Sequence, residues 1–297
     1  MKKITYQELL KDKRMRFAIS IINSAYASDS LDKLGIQKPG RNHYYLPIEI
    51  HYLAGAETDP QHRVFGAVHT AAFRIVGDPD SPAYQANPYE GEITFIRTLK
   101  PGDVAVIDTP IDDEFQNEEE NEKKCGGVWG GLLTALSLSY GAVGAVINGP
   151  TRDTHQINSY FRHGSFDARS IRSLEKALGK KASKTNIKKI RAALLKASKF
   201  PVYGTGTLPT DSAFRTEAFS VEESIKIGNV IINDQDFIIA DNDGQVVIPN
   251  EVVHEVLAKV IEIDAGDKDV WADALTRLAG FHHDSIDEIV ARRGGHL

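Results

Sequence analysis

The sequence is short of several things, and each shortage narrows the field. It holds a single cysteine, Cys125. That excludes a disulfide within the chain and leaves no cysteine-rich zinc site; a reducing compartment suits it best. No apolar run approaches the roughly 18–20 residues that a membrane-spanning helix needs. The opening MKKITYQELLKDKRMRF is charged and lacks an apolar stretch followed by small residues, so it does not read as a secretory signal. The expectation is a soluble cytoplasmic protein without membrane contact. Familiar signatures are missing too. There is no G-x-x-x-x-G-K-[ST], no clean G-x-G-x-x-G, no H-E-x-x-H and no G-x-S-x-G, so no nucleotide loop, zinc-protease helix or hydrolase elbow is legible.

What is present is ordinary in bulk. The chain has 297 residues, 41% hydrophobic and 26% charged, which is ample for a sizeable core. Its net charge of -6 argues against a protein built to coat nucleic acid. One region departs from that balance. Residues 165–199 carry Arg169, Arg172, Lys176, Lys180, Lys181, Lys184, Lys188, Lys189, Arg191, Lys196 and Lys199 against only Asp167 and Glu175. They read as two amphipathic helices around GKKASKT. A solvated hairpin, contact with an acidic neighbour, or a polyanionic partner are all open readings, but few aromatics are interleaved for stacking on single strands.

The pattern is clearest in the middle of the chain. DVAVID (103–108) is a buried-strand type, GGLLTALSLSY (130–140) is helical up to Gly141, AVGAVI (142–147) is a strand, and a helix starts near Thr154. Strand, helix, strand, helix predicts a parallel pair with a crossover. Upstream, residues 15–34 have helical spacing, YYLPIEIHYL and RVFGAVHTAAFRIV read as strands, and EGEITFIRTL reads as a short helix. Downstream, SIKIGNVIIN, DFIIAD and QVVIP suggest antiparallel strands with NDG as a hairpin turn, and helices are expected over 250–262 and 269–280.

In such a sheet, ligands bind along the edge formed by the C-terminal ends of the parallel strands. Asp108 ends one strand there, Arg152 and Asp153 follow the next, and the loop GGVWGG (126–131) opens the intervening helix. Glycines let backbone curl closely around an anion at a helix N-terminus, where unpaired amides and partial positive charge lie. A tight packing turn is the plainer account of those glycines, and Trp129 suits a packing anchor. Arg152 could neutralise a developing oxyanion. Asp153 could hold Mg²⁺ or a similar hard ion, or simply cap its helix with Gln156 as partner.

Four blocks, LKPGDVAVID, GGVWGGLLTALSLSYGAVGAVINGPTRDTHQI, FPVYGTGTLP and IIADNDGQVVIP, together resemble the RraA-like family. That family holds regulators of ribonuclease E activity and metal-dependent aldolases of 4-hydroxy-4-methyl-2-oxoglutarate. The resemblance implies an α/β fold of the three-layer α/β/α sandwich kind, in one domain over 1–297. Residues 165–199 would be a helical insertion and 263–297 a C-terminal helical extension. It also implies a homotrimer or hexamer and a small carboxylate substrate, with nucleic acid not expected. Carried onto this chain, Arg152 would stabilise an enolate and Asp153 would bind Mg²⁺ or Mn²⁺. The backbone around Gly130, Gly131, Leu132 and Leu133 would hold the substrate carboxylate. A neighbouring subunit would lend an acid matching Glu262 or Asp264. Two positions depart from the aldolase pattern: Gly131 and Gln156 stand where the aldolases carry acids. Asp108, Asp112 or Glu114 could supply a displaced acid. The expected function is therefore a metal-dependent lyase, aldolase or decarboxylase, with a non-catalytic regulator or interaction scaffold as the alternative.

Overall fold

A computed structural model of the chain describes residues 3–38, 40, 42–55, 59–76, 78, 80–109, 126–163, 168–179, 181, 183–197, 200–281, 288 and 291. Its frame is an eight-stranded mixed sheet. The central strands are parallel: β2 (Val64–Ile75), β3 (Asp103–Asp108), β4 (Gly144–Asn148) and β6 (Val202–Gly204). β1 (His51–Ala54) closes one side antiparallel to β6. On the other side β2 is shared between two antiparallel neighbours. β11 (Phe237–Asp241) lies along its first half and β8 (Thr216–Val221) along its second, and β12 (Gly244–Ile248) pairs outside β11.

Alternation along the strands sorts side chains into separate cores. Phe65 and Ala67 of β2, with Phe237, Ile239, Val246 and Ile248, pack under α2 (Lys13–Ile21), α3 (Ser24–Lys33) and α10 (Val253–Leu278). Farther along the same face, Ala71, Phe73, Ala105, Ile107, Ala145 and Ile147 pack under α5 (Glu90–Thr98) and α6 (Gly131–Tyr140) with Trp129 and Phe200. The opposite set, including Val68, Val104, Val106 and Val146, meets Leu46, Ile50 and the hairpin of β9 (Ile225–Ile227) and β10 (Val230–Ile232). The sheet thus curls into a half-barrel, with helices outside and the hairpin filling the hollow.

The sequence pattern and the structure differ at several points. The helical run over 15–34 is two helices, because Asn23 takes extended backbone and its side chain caps Tyr26 N. YYLPIEIHYL yields only β1, with Tyr45 making one isolated bridge to Val246. SIKIGNVIIN turns at Gly228, whose φ of 58° needs glycine, so it forms both strands of a hairpin. β8 has no counterpart in the sequence reading. The two C-terminal helices are one, α10, of 26 residues. Its interior gap in apolar spacing marks where it leaves the body: Val253 to Asp264 are the buried positions, while Trp271, Leu275 and Leu278 stand exposed. The basic stretch contains α8 (Ala168–Leu178) and α9 (Lys184–Ala197). No helix among the described residues is long and apolar enough to cross a membrane.

Candidate active site

The parallel register puts the ends of β3 and β4 side by side, with Asp108 opposite Asn148. The chain leaves β4 through Pro150–Thr151 (β5), and α7 (Thr154–His163) follows. The glycine loop runs alongside this exit as an extra strand-like layer. Gly127 N donates to Thr210 O at 2.9 Å, Val128 N to Pro150 O at 3.1 Å, and Arg152 N to Trp129 O at 2.8 Å. This explains the glycines: backbone passes backbone and side chain too closely for a Cβ. One added at Gly126 would stand 2.1 Å from Asp211 O, and one at Gly130 would stand 2.9 Å from Asp153 Oδ2. Trp129 is fully buried between them and anchors the loop; its indole N–H donates to Thr134 Oγ1 at 2.9 Å.

The loop delivers a bare helix start. Gly130 precedes α6 without any side-chain cap. The first backbone bond within the helix comes from Thr134 N to Gly130 O, so the amides of Gly131, Leu132 and Leu133 point out of its end. Gly131 N donates to Asp153 Oδ2 at 3.3 Å. Asp153 is held for this by an unusual backbone. Its φ is 59°, in the left-handed region, although its carbonyl already accepts from Ile157 N at 2.9 Å as α7 begins. The capping role open to Asp153 in the sequence is therefore redirected: its carboxylate reaches the head of α6. Arg152 Nε lies 3.7 Å from the same Oδ2. Arg152, Asp153, Gly130 and Gly131 thus meet in one corner, and Leu132 and Leu133 follow in the first turn.

The corner also contains residues that the sequence did not single out. Arg152 Nη1 pairs with Asp211 Oδ2 at 2.9 Å, and Tyr89 OH donates to that oxygen at 2.9 Å. Burial pushes the Asp211 carboxyl up, but the Ala213 amide, Tyr89 and Arg152 outweigh it and hold it below the usual carboxylate range. One residue on, Ser212 Oγ donates to Glu92 Oε1 at 3.2 Å. Glu92 is 1% exposed, and its Oε2 has no hydrogen-bond partner among the described residues. Burial pushes its carboxyl up to about 7. The TDS tripeptide after the LP of the third family block carries Asp211, but nothing in its spacing ties it to Arg152. Glu92 reads in sequence as one of several acids opening α5.

The other expected acids do not join them. Asp108 lies on the same sheet edge, but its Oδ1 accepts from Asn148 Nδ2 at 2.8 Å, and burial raises its carboxyl. Asp112 and Glu114 lie outside the described residues. Glu262 pairs with Lys259 at 2.5 Å and Asp264 with Lys268 at 2.6 Å, both on α10. Neither contacts Arg152 or Asp153 among the described residues of one chain. Gln156 fills the space beside Gly131, its Oε1 3.4 Å from where a Cβ there would stand.

The donor set fits a hydrated hard cation. The Asp153 side chain is 30% exposed, and the contacts it makes among the described residues are through Oδ2. Mg²⁺ commonly binds through one or two carboxylates and keeps several waters.

Comparison with known proteins places the chain in a family. The RraA-like family pattern, described as Aldolase/RraA, matches residues 53–188 and 191–247. Protein DlpA of Legionella pneumophila is 29% identical over 136 residues, 46% of this chain but only 16% of that protein's length. Two solved structures share the fold. One is a protein of Pseudomonas syringae pv. tomato (TM-score 0.58, 18% identity, covering 97% of this chain and 99% of that one). The other is RraAS2 of Streptomyces coelicolor, described as an unusual member of the RNase ES inhibitor RraA family (TM-score 0.55, 18% identity, 90% and 97%). With the pattern spanning both the strand–helix–strand unit and the Arg152–Asp153 pair, this chain belongs to the RraA-like family.

Proposed function

We propose that the chain is a metal-dependent carbon–carbon lyase, of aldolase or decarboxylase type, acting on a 2-oxo acid or a related hydroxy acid. The observation that carries this reading is the convergence of the Arg152 guanidinium, the Asp153 carboxylate and the N-terminal amides of α6 in one corner. The amides at 131–133 suit the substrate carboxylate, which the helix N-terminus favours electrostatically. Asp153 would hold Mg²⁺ or Mn²⁺, which when bound polarises the 2-oxo group and offsets the repulsion between Asp153 and the incoming carboxylate. Arg152 faces the oxygen that becomes anionic as the carbon–carbon bond breaks and stabilises the enolate. Asp211 keeps the guanidinium aimed, and is itself fixed by Tyr89 and the Ala213 amide. The working form we propose is a homotrimer or hexamer in the cytoplasm, with Glu262 or Asp264 of a neighbouring copy completing the site.

The test is release of pyruvate from oxaloacetate and from 4-hydroxy-4-methyl-2-oxoglutarate. Turnover should vanish with a chelator and return with Mg²⁺ or Mn²⁺. A folded protein that turns over neither substrate with either ion would sink the reading. A second reading, a non-catalytic regulator or interaction scaffold, draws support from Gly131 and Gln156 standing in place of acids and from Arg152 already being paired with Asp211. That outcome would favour it.

A further inference from the structure

The middle of β2 is a seam. β11 pairs with Val64–Ala67 and β8 with Ala71–Ile75, so neither covers Val68–Thr70. Two loop segments patch the gap. Gln235 N donates to Val68 O at 2.8 Å, Thr70 N to Asp234 Oδ1 at 3.2 Å, and Glu222 N to Thr70 O at 3.0 Å. His69 sits at the centre with no exposed surface, stacked on Phe95.

Its hydrogen bonds settle which nitrogen is left over. The Thr98 hydroxyl donates to Phe95 O at 2.8 Å. That hydroxyl therefore accepts from His69 Nε2, 2.7 Å away. In the neutral ring Nδ1 then carries a lone pair. Among the described residues Nδ1 makes no well-aligned hydrogen bond, yet it faces Asp234 Oδ1 at 3.3 Å, a contact that is attractive only with a proton or a metal ion between them. A lone pair aimed at a carboxylate is repulsive unless something positive lies between them. Glu222 brings a second carboxylate, and ligand atoms of all three residues lie within 4.8 Å of one another. Glu222 reaches this place with φ at 60°, a conformation that non-glycine residues rarely adopt. Such outliers concentrate at functional positions.

We propose that His69 Nδ1, Glu222 and Asp234 form a divalent-cation site for a first-row transition ion, Zn²⁺ or Mn²⁺, independent of the lyase reading. An imidazole with two carboxylates suits these ions better than Mg²⁺ or Ca²⁺, which prefer oxygen alone. The 3.3 Å between Nδ1 and Oδ1 matches the edge of a tetrahedron whose metal–ligand bonds are about 2.0 Å. Glu222 and Asp234 also border a cavity of about 560 Å³ that Lys3, Ile4, Asp236 and Glu251 help to line, which leaves room for water beside them. Nearby cations do not fill the place. Lys100 Nζ is 3.9 Å from Glu222 Oε1, and Lys3 Nζ bonds the Asp234 carbonyl at 2.5 Å. The ion would tie β2, the end of β8 and the loop before β11 across the seam.

The experiment uses the full chain carrying Asp153→Asn, so that the other candidate ligand is removed, stripped with chelator and titrated calorimetrically with Zn²⁺ and with Mn²⁺. One equivalent should bind, and Zn²⁺ absorption spectroscopy should show one imidazole in the shell. Adding Glu222→Gln, at a half-exposed position that spares the fold, should weaken binding at least tenfold and abolish the metal-induced rise in melting temperature. Asp234→Asn should do the same. No binding, or binding that Glu222→Gln leaves unchanged and that shows no imidazole, overturns the proposal and assigns a proton to Nδ1 instead.

Discussion

Two regions of the same sheet arrange their polar groups differently. At the Arg152 corner backbone amides stand at a helix head, that of Gly131 on Asp153, beside a guanidinium paired with Asp211. Two carboxylates, Asp153 and Asp211, already surround that guanidinium. At the His69 seam a buried ring nitrogen faces the carboxylate of Asp234, with that of Glu222 close by. Both corners are polar and both sit beside β2, β3 or their loops, so composition alone does not tell them apart. Counting which donors and acceptors have no partner does, because a buried polar group left alone costs on the order of 1–3 kcal/mol.

The contrast can be tested most severely at Arg152. Removing one preorganised electrostatic contact of this kind costs about 3 kcal/mol of transition-state stabilisation. Arg152→Ala should therefore lower kcat at least a hundredfold on whichever substrate is turned over, while Zn²⁺ binding at the seam stays as it was. Steady-state kinetics and calorimetry on one preparation check both halves. Near-wild-type kcat would remove Arg152 from the chemistry.

Glu92 offers the next largest effect, read as stability. Its carboxyl is raised from 4.5 to about 7 by burial. Between those values the native state keeps a proton that the unfolded chain gives up. Stability therefore falls as pH rises from about 4.5 to about 7 and levels off above, a contribution of at most about 3 kcal/mol. Glu92→Gln cannot titrate, so its melting temperature should lose that part of the slope. Parallel melting curves for the two proteins from pH 5 to pH 8 would refute this.

Smaller effects separate neighbouring glycines. A Cβ at Gly130 would meet Asp153 Oδ2 at 2.9 Å and Arg152 Cγ at 3.2 Å, although its φ of -158° suits any residue. Gly130→Ala should displace both side chains and weaken Mg²⁺ or Mn²⁺ binding roughly tenfold, about 1.4 kcal/mol, with little change in folding. At Gly131 the nearest atom would be 3.4 Å away, an ordinary contact. Gly131→Ala should stay within about twofold in metal affinity. Equal effects at the two positions would mean that the loop, not the side chains beside it, sets the geometry.

The sequence carried the parallel β3–α6–β4 unit well, because buried strands and an apolar helix closed by glycine leave strong periodic signals. Arg152, Asp153 and the glycine loop were legible for the same reason: each lies at the end of such an element. Asp211 and Glu92 were not. One sits in a loop that crosses from far along the chain and the other on a helix packed beneath it, and only tertiary packing makes them neighbours of Arg152. His69 lies inside an apolar strand where the bland expectation is a satisfied core residue, and its two partners arrive from separate loops. The single long α10 reads in sequence as two helices because its apolar spacing stops where the body of the protein ends, although its backbone does not.

The left-handed backbone of Asp153 has a thermodynamic consequence of its own. Holding a branched-at-Cγ acid at φ 59° strains the chain by about 1 kcal/mol, though aspartate tolerates it better than most residues. Glycine there would relax the turn and still let α7 begin, so Asp153→Gly should melt no lower than the wild type while showing none of the Mg²⁺ or Mn²⁺ binding proposed for Asp153. A protein that becomes sturdier when a residue is erased is one in which that residue was kept for something other than sturdiness.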